Sequence, residues 1–144
     1  MNYVRTLPPI KVEERLGLTS DGGAASPSEI LLAALGSCLA TCIHADAVTG
    51  SITVQSLEVA IEADVAVSPI WGPVGHDPGP LGFAAIRVTV DLQADAPPDA
   101  LRALIAHAVL WSPVANTIHD PVHLDVTLAQ LGSASLDGAA DREG

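Results

Sequence analysis

Cys38 and Cys42 are the only two cysteines of the chain, and both fall in the run SPSEILLAALGSCLATCIHADAVTG from Ser26 to Gly50. A thiol can serve as nucleophile, redox centre or soft metal ligand, and each of these roles uses the thiolate. If the run is helical, i and i+4 spacing puts both sulfurs on one face. A disulfide between them is not expected, because a regular helix does not present the two Cβ atoms in bonding geometry. Cys38 lies mid-helix and gains little from the positive helix end that activates thiols elsewhere, so a cation would have to come from another segment. Without one, such a cysteine is an ordinary small apolar core residue.

Other chemistries find less support. His44 follows Cys42 by two positions and points elsewhere, and His107 could approach from a second helix, but nothing fixes a fourth zinc ligand. His76, His119 and His123 lie in loops or at a strand edge, where solvated histidines are common. Gly22-Gly23 precedes a helix without the strand and lysine of a phosphate loop. Serine hydrolase chemistry lacks a nucleophile elbow. No metal and no cofactor are expected.

The segment that carries the thiols has its own start and stop signals. Ser26 is placed as N-cap, Pro27 as first helical residue, Glu29 as the capping-box carboxylate and Gly50 as terminator. Apolar residues cover the helix on every side, which means burial in protein or in lipid. Its length is close to the ~20 residues that span a bilayer, yet Gly36, Ser37, Thr41, His44 and Asp46 dilute it and no basic residues flank it. A core helix is the better account.

The elements around it follow from periodicity. Ser51 to Val67 alternates as a strand, Leu57, Val59, Ile61, Ala63, Val65 and Val67 inward with Glu58, Glu62 and Asp64 outward. The Pro- and Gly-rich stretch SPIWGPVGHDPGPLGF is a long irregular connection. Ile86, Val88, Val90 and Leu92 mark a second strand, expected to pair antiparallel with the first. Pro97 or Pro98 opens a helix bearing Leu101, Leu104, Ile105, Ala108 and Val109. Trp111-Ser112-Pro113 interrupts that helix, and Ser112 recaps a short one running to Ile118. A last strand is expected from Val122 to Leu128. Ahead of the cysteine helix, Val12 and Leu16 to Leu18 suggest one or two short strands, followed by a turn at Asp21-Gly22-Gly23.

Composition bounds the rest. The 144 residues suffice for one ordinary domain with a real core. Hydrophobic residues are 49% and aromatics 3%, so that core is aliphatic. A formal charge of −11 argues against nucleic acid and anionic membrane as partners. The N-terminal MNYVRTLPPIKVEERLG does not read as a signal peptide, and two cysteines without an export signal fit the reducing cytoplasm. One small sheet covers one side of an all-apolar helix, so a homodimer that sandwiches two such helices is expected.

The run GGAASPSEILLAALGSCLA resembles the signature of the OsmC/Ohr family, the osmotically inducible and organic-hydroperoxide-resistance proteins. There a P-x-E-(L/I) head, here Pro27-Ser28-Glu29-Ile30, leads into a central helix with a reactive cysteine nine positions past the glutamate, as Cys38 is past Glu29. WSPVANTIHDPVHLDVTL resembles the second landmark, a helix ending in C-P-V or S-P-V before the last strand. The similarity covers Gly22 to Leu128. It implies an α+β fold with an antiparallel sheet on a long buried helix, completed by dimerisation. The chain reads as one domain over residues 1–132, and the polar, small-residue tail over 133–144 is expected to be disordered. It also implies thiol-dependent reduction of organic hydroperoxides, with Cys38 as peroxidatic thiol, Glu29 as its carboxylate partner and Arg15 as the cation, a place that Arg5 or Lys11 could fill. Glu29 has its capping job as the competing role, and Arg15 could be a plain surface charge. Two-cysteine members have their resolving thiol where this chain has Ser112, and a hydroxyl cannot form a disulfide. Three outcomes are open: resolution by an external thiol reductant, resolution by Cys42 after the helix deforms, or a non-enzymatic protein whose dimer-interface pocket binds a small apolar ligand through Trp71, Phe83 and Trp111.

Overall fold

The computed structural model describes residues 2–10, 26–68 and 70–129. The elements are α1 (Pro27–Thr49), β1 (Val54–Ala66), β2 (Gly82–Ala94), α2 (Pro98–Trp111) and α3 (Pro113–His119). The class is α+β, with β1 and β2 paired as an antiparallel two-stranded sheet. The strands expected near residues 12–18, the turn at Asp21 and the tail over 133–144 lie outside the described residues.

Helix α1 starts as its sequence dictates. The Ser26 hydroxyl accepts from the Glu29 amide at 3.3 Å and the Ser26 carbonyl from Ile30 at 2.9 Å, which satisfies donors that a bare helix end leaves unpaired. The stop differs by one residue from expectation. Ile52 N–H donates to the Ala47 carbonyl and Ser51 N–H to Val48, the paired bonds of a Schellman cap. The left-handed position of that cap falls on Ser51, with φ of 56°, and Gly50 sits one place before it.

Contacts divide the chain into two compact units, with breaks after Ser37, Glu58 and Thr89. In the unit holding residues 26–37 and 59–89, Leu35 is buried on α1, and a Cβ added at Gly36 would meet Ile61 Cδ1 at 3.0 Å. Glycine at that position is what admits β1 so close to the helix backbone. On the outer side of the sheet Arg87 joins Asp64 at 2.9 Å and Glu62 at 3.6 Å. The hydrogen-bonded guanidinium holds Asp64 below the usual carboxylate range. These are solvated charges on the strands' exposed faces, as their alternation requires.

The unit holding residues 38–58 and 90–129 contains the main core. Ile43 and Ala47 on α1 pack with Leu104 and Ala108 on α2, and Ile52, Val54, Leu57, Val90, Leu92 and Ile105 close round them. Along α1 the buried positions are Leu35, Leu39, Ile43 and Ala47, a single stripe at four-residue spacing.

In one chain α1 leaves Ile30, Leu31 and Val48 exposed. One expectation is corrected. Val122 to Leu128 is not a strand. Its residues join no sheet, and Val122, Leu124, Val126 and Leu128 are 69–86% exposed. Alternation marks a segment that can be a strand, but a strand exists only against a ladder partner, and among the described residues only β1 and β2 pair.

Candidate thiol site

The break between α2 and α3 places the residue that meets the cysteine. Pro113 cannot donate to the α2 ladder and pushes Ser112 into an extended conformation, φ −75° and ψ 116°. Ser112 then caps α3: its hydroxyl accepts from the Ala115 amide at 3.2 Å. Its carbonyl accepts from the Asn116 amide at 3.1 Å and from Asn116 Nδ2 at 2.8 Å. The side chain is fully buried. With its oxygen engaged by Ala115, the hydroxyl proton points the other way and donates to Cys38 Sγ at 3.0 Å. No buried side-chain polar atom among the described residues is left without a partner.

Both cysteines are free thiols and half-buried. Cys42 lies one turn beyond Cys38 on the same helix. Burial first, then the neighbouring Cys38 and the Asp46 carboxylate, push the Cys42 thiol up from its ordinary pKa. Asp46, one further turn on, faces α2 and meets His107 Nδ1 at 2.7 Å. The His107 ring stacks on Trp111 with centroids 5.5 Å apart and planes 22° from parallel. Cys38, Cys42 and Asp46 thus form one line on α1, read by Ser112 at one end and His107 at the other. His107 is a brace for the helix pair: eight residues of helix rise, roughly 12 Å, separate Asp46 from Cys38.

The other expected site residues fare unequally. Glu29 is exposed in the first turn of α1, and nine residues of rise, roughly 13 Å, keep it away from Cys38 along the helix. Arg15 and Lys11 lie outside the described residues, and Arg5 is exposed. Arg87 and Arg102 are paired with carboxylates. Among the described residues no Lys or Arg is hydrogen-bonded to Cys38, and no group of three His, Cys, Asp or Glu could hold a metal ion. Trp111 stacks on His107, whereas Trp71 lines a pocket of about 640 Å³ in the β1–β2 connection together with Val65, Val67, His76, Pro78 and Leu81. Sequence reading missed the Asp46–His107 pair. Its partners are 61 positions apart, and no local signal joins them.

The site is thus a buried hydroxyl across a helix break, aimed at a cysteine in the middle of an apolar helix. The model of the OsmC-like proteins matches residues 20–127, three quarters of the chain. The chain belongs to the OsmC-like family. Its fold is similar to the crystal structure of an OsmC-like protein from Mycoplasma pneumoniae, with 18% identity, TM-score 0.60, and coverage of 77% of this chain and 78% of that one. It is also similar to an OsmC-like hydroperoxide resistance protein from Jannaschia sp. CCS1, with 23% identity, TM-score 0.60, and coverage of 76% and 70%. No curated protein matches the chain. The family match therefore spans both parts that build the thiol site, α1 with Cys38 and the α2–α3 break with Ser112.

Proposed function

We propose that this OsmC-like protein reduces organic hydroperoxides through Cys38 alone, with an external thiol closing the cycle. The observation that carries the reading is the Ser112 hydroxyl donating to Cys38 Sγ at 3.0 Å. That hydroxyl fixes the place of the Cys38 sulfur, and the thiolate of a cysteine is the nucleophile. The similar protein from Jannaschia carries hydroperoxide resistance in its name, which agrees with this chemistry. The thiolate attacks one peroxide oxygen and the O–O bond breaks. Sulfur is oxidised to sulfenic acid, and the alkoxide leaves with a proton from solvent as the alcohol. An external thiol then condenses with the sulfenic acid, releasing water and leaving a mixed disulfide. A second external thiol returns Cys38 to its reduced form. Ser112 takes no electrons and forms no bond to sulfur. In this reading Arg15 keeps the role that the family resemblance implies, Glu29 serves as the first-turn cap residue of α1, and the reducing cytoplasm supplies the external thiol.

A homodimer is part of the proposal. A second chain covers Ile30, Leu31 and Val48, apolar residues that α1 leaves exposed in one chain. Light scattering at micromolar concentration is expected to give twice the 14.7 kDa chain mass, and a monomeric mass refutes the packing argument.

The Trp71 pocket favours a second reading, in which the fold binds a small apolar ligand without chemistry. Its volume lies within the usual range for ligand sites, about 300–1,000 Å³. One measurement separates the two. Reduced protein is treated with an organic hydroperoxide and a sulfenic-acid trap, and the adduct is located by mass spectrometry. Fast, stoichiometric labelling at Cys38, lost in Cys38→Ser, supports the peroxidase. Labelling no faster than for a free cysteine favours the binding protein.

A further inference from the structure

We infer that Asn116 is the positioning residue of the thiol site: its side-chain amide clamps the α2–α3 break and so holds the Ser112 hydroxyl on Cys38. The role rests on the peroxidase reading for its purpose, whereas the geometry stands without it. A helix break leaves carbonyls to be satisfied. Pro113 has no N–H, so the Val109 carbonyl takes its bond from the Ser112 amide instead, at a long 3.4 Å. The Leu110 carbonyl follows in the last turn of α2, where a helix has no donor of its own to offer. Asn116 supplies one. Its Nδ2 group donates to the Leu110 carbonyl at 2.9 Å and to the Ser112 carbonyl at 2.8 Å. Both partners are acceptors, so only the NH2 end of the amide can face them, and it has one hydrogen for each.

One of these carbonyls belongs to the end of α2 and the other to Ser112 itself, the cap of α3. Bridging them fixes the backbone bend from which the Ser112 side chain projects. That bend is what aims the hydroxyl at Cys38 Sγ, 3.0 Å away on another helix. The Ala115 amide also holds the Ser112 oxygen, at 3.2 Å, but this bond lies within the first turn of α3 and moves with it. Asn116 ties that turn back to α2, whose Leu104 and Ala108 share a core with Ile43 and Ala47 of α1. The position of the hydroxyl is thereby referred to the same helix that carries the thiol.

The test reads the position of residue 112 with a disulfide. In the S112C chain both Asn116 bonds are kept, because they go to backbone carbonyls. The equilibrium between open and closed forms of the Cys38 disulfide is measured in glutathione buffers, with the bridge mapped by mass spectrometry. It gives the effective concentration of one thiol at the other. Adding Asn116→Ala is expected to lower that concentration about tenfold, since two bonds that order the break are lost. Asn116→Asp keeps the shape but has no donor hydrogen at neutral pH, and is expected to lower it at least as far. It also carries the test if the alanine variant loses its native circular dichroism. Thr117→Ala removes a bond to the Pro113 carbonyl within α3, 2.8 Å long, and is expected to stay within about twofold of S112C. A general weakening of α3 would move all three variants alike. An Asn116 variant within about twofold of S112C overturns the inference, as does a Thr117 variant that falls as far as the Asn116 ones. An S112C chain that closes no disulfide overturns it too. No peroxide enters, so failure of the peroxidase reading and failure of this one are told apart.

Discussion

Replacing Ser112 by cysteine is expected to convert the protein to one that closes an internal disulfide with Cys38. The hydroxyl oxygen already lies 3.0 Å from Cys38 Sγ, and the side chain that carries it is fixed by the α3 cap and fully buried. A sulfur at that position needs to move by about 1 Å to reach the ~2.05 Å bond length. After mild oxidation the S112C chain is expected to show one free thiol, that of Cys42, instead of three. With hydroperoxide, the sulfenic acid on Cys38 condenses with the introduced thiol and water leaves, so the trap that labels wild type finds no adduct. Stability moves as well. Closing a loop between residues 74 positions apart gives up to about 4.5 kcal/mol in the chain-entropy model. The lost serine cap offsets about 1 kcal/mol of this. Three titratable thiols after oxidation, with native circular dichroism, would show that the two side chains do not meet as described.

Ile43→Ala is expected to lower unfolding free energy by about 3 kcal/mol. Ile43 is 1% exposed and sits where α1, α2 and the sheet converge, against Ala47, Leu104 and Ala108. Two of those three buried neighbours are alanines, whose methyl groups reach little of the vacated space, so part of the cavity stays open. Leu110→Ala, at a residue 73% exposed on α2, is expected to change stability by less than about 0.5 kcal/mol. Urea titration of the two variants separates them. Coincident midpoints would mean that the stripe Leu39–Ile43–Ala47 does not carry the core. Because Cys42 packs on the same cluster, the Ile43 variant is also expected to expose that thiol to alkylation.

Much of this was legible residue by residue. The α1 start at Ser26-Pro27, the two alternating strands, the Pro98 start of α2 and the break at Ser112-Pro113 depend on atoms a few positions apart. Caps, proline geometry and side-chain alternation act at that range. The α1 stop was legible to within one residue, since a Schellman cap depends on the order of two hydrogen bonds and accepted Ser51 where glycine is usual. The stretch from Val122 to Leu128 was misread because its alternation is local while strand pairing is not.

The family signature and Cys38 as the thiol of interest stand in the sequence itself, since both depend on residues along one helix and its flanks. What the sequence could not decide is which side of α1 is buried. Apolar residues surround that helix, and only the placement of α2 and the sheet selected Leu39, Ile43 and Ala47. Nor could it show that Ser112, noted there only as the residue in place of a resolving thiol, is a hydrogen-bond donor to Cys38, or that Asp46 meets His107. Those contacts join positions 74 and 61 residues apart, and packing α2 against α1 is what brings them within hydrogen-bond range.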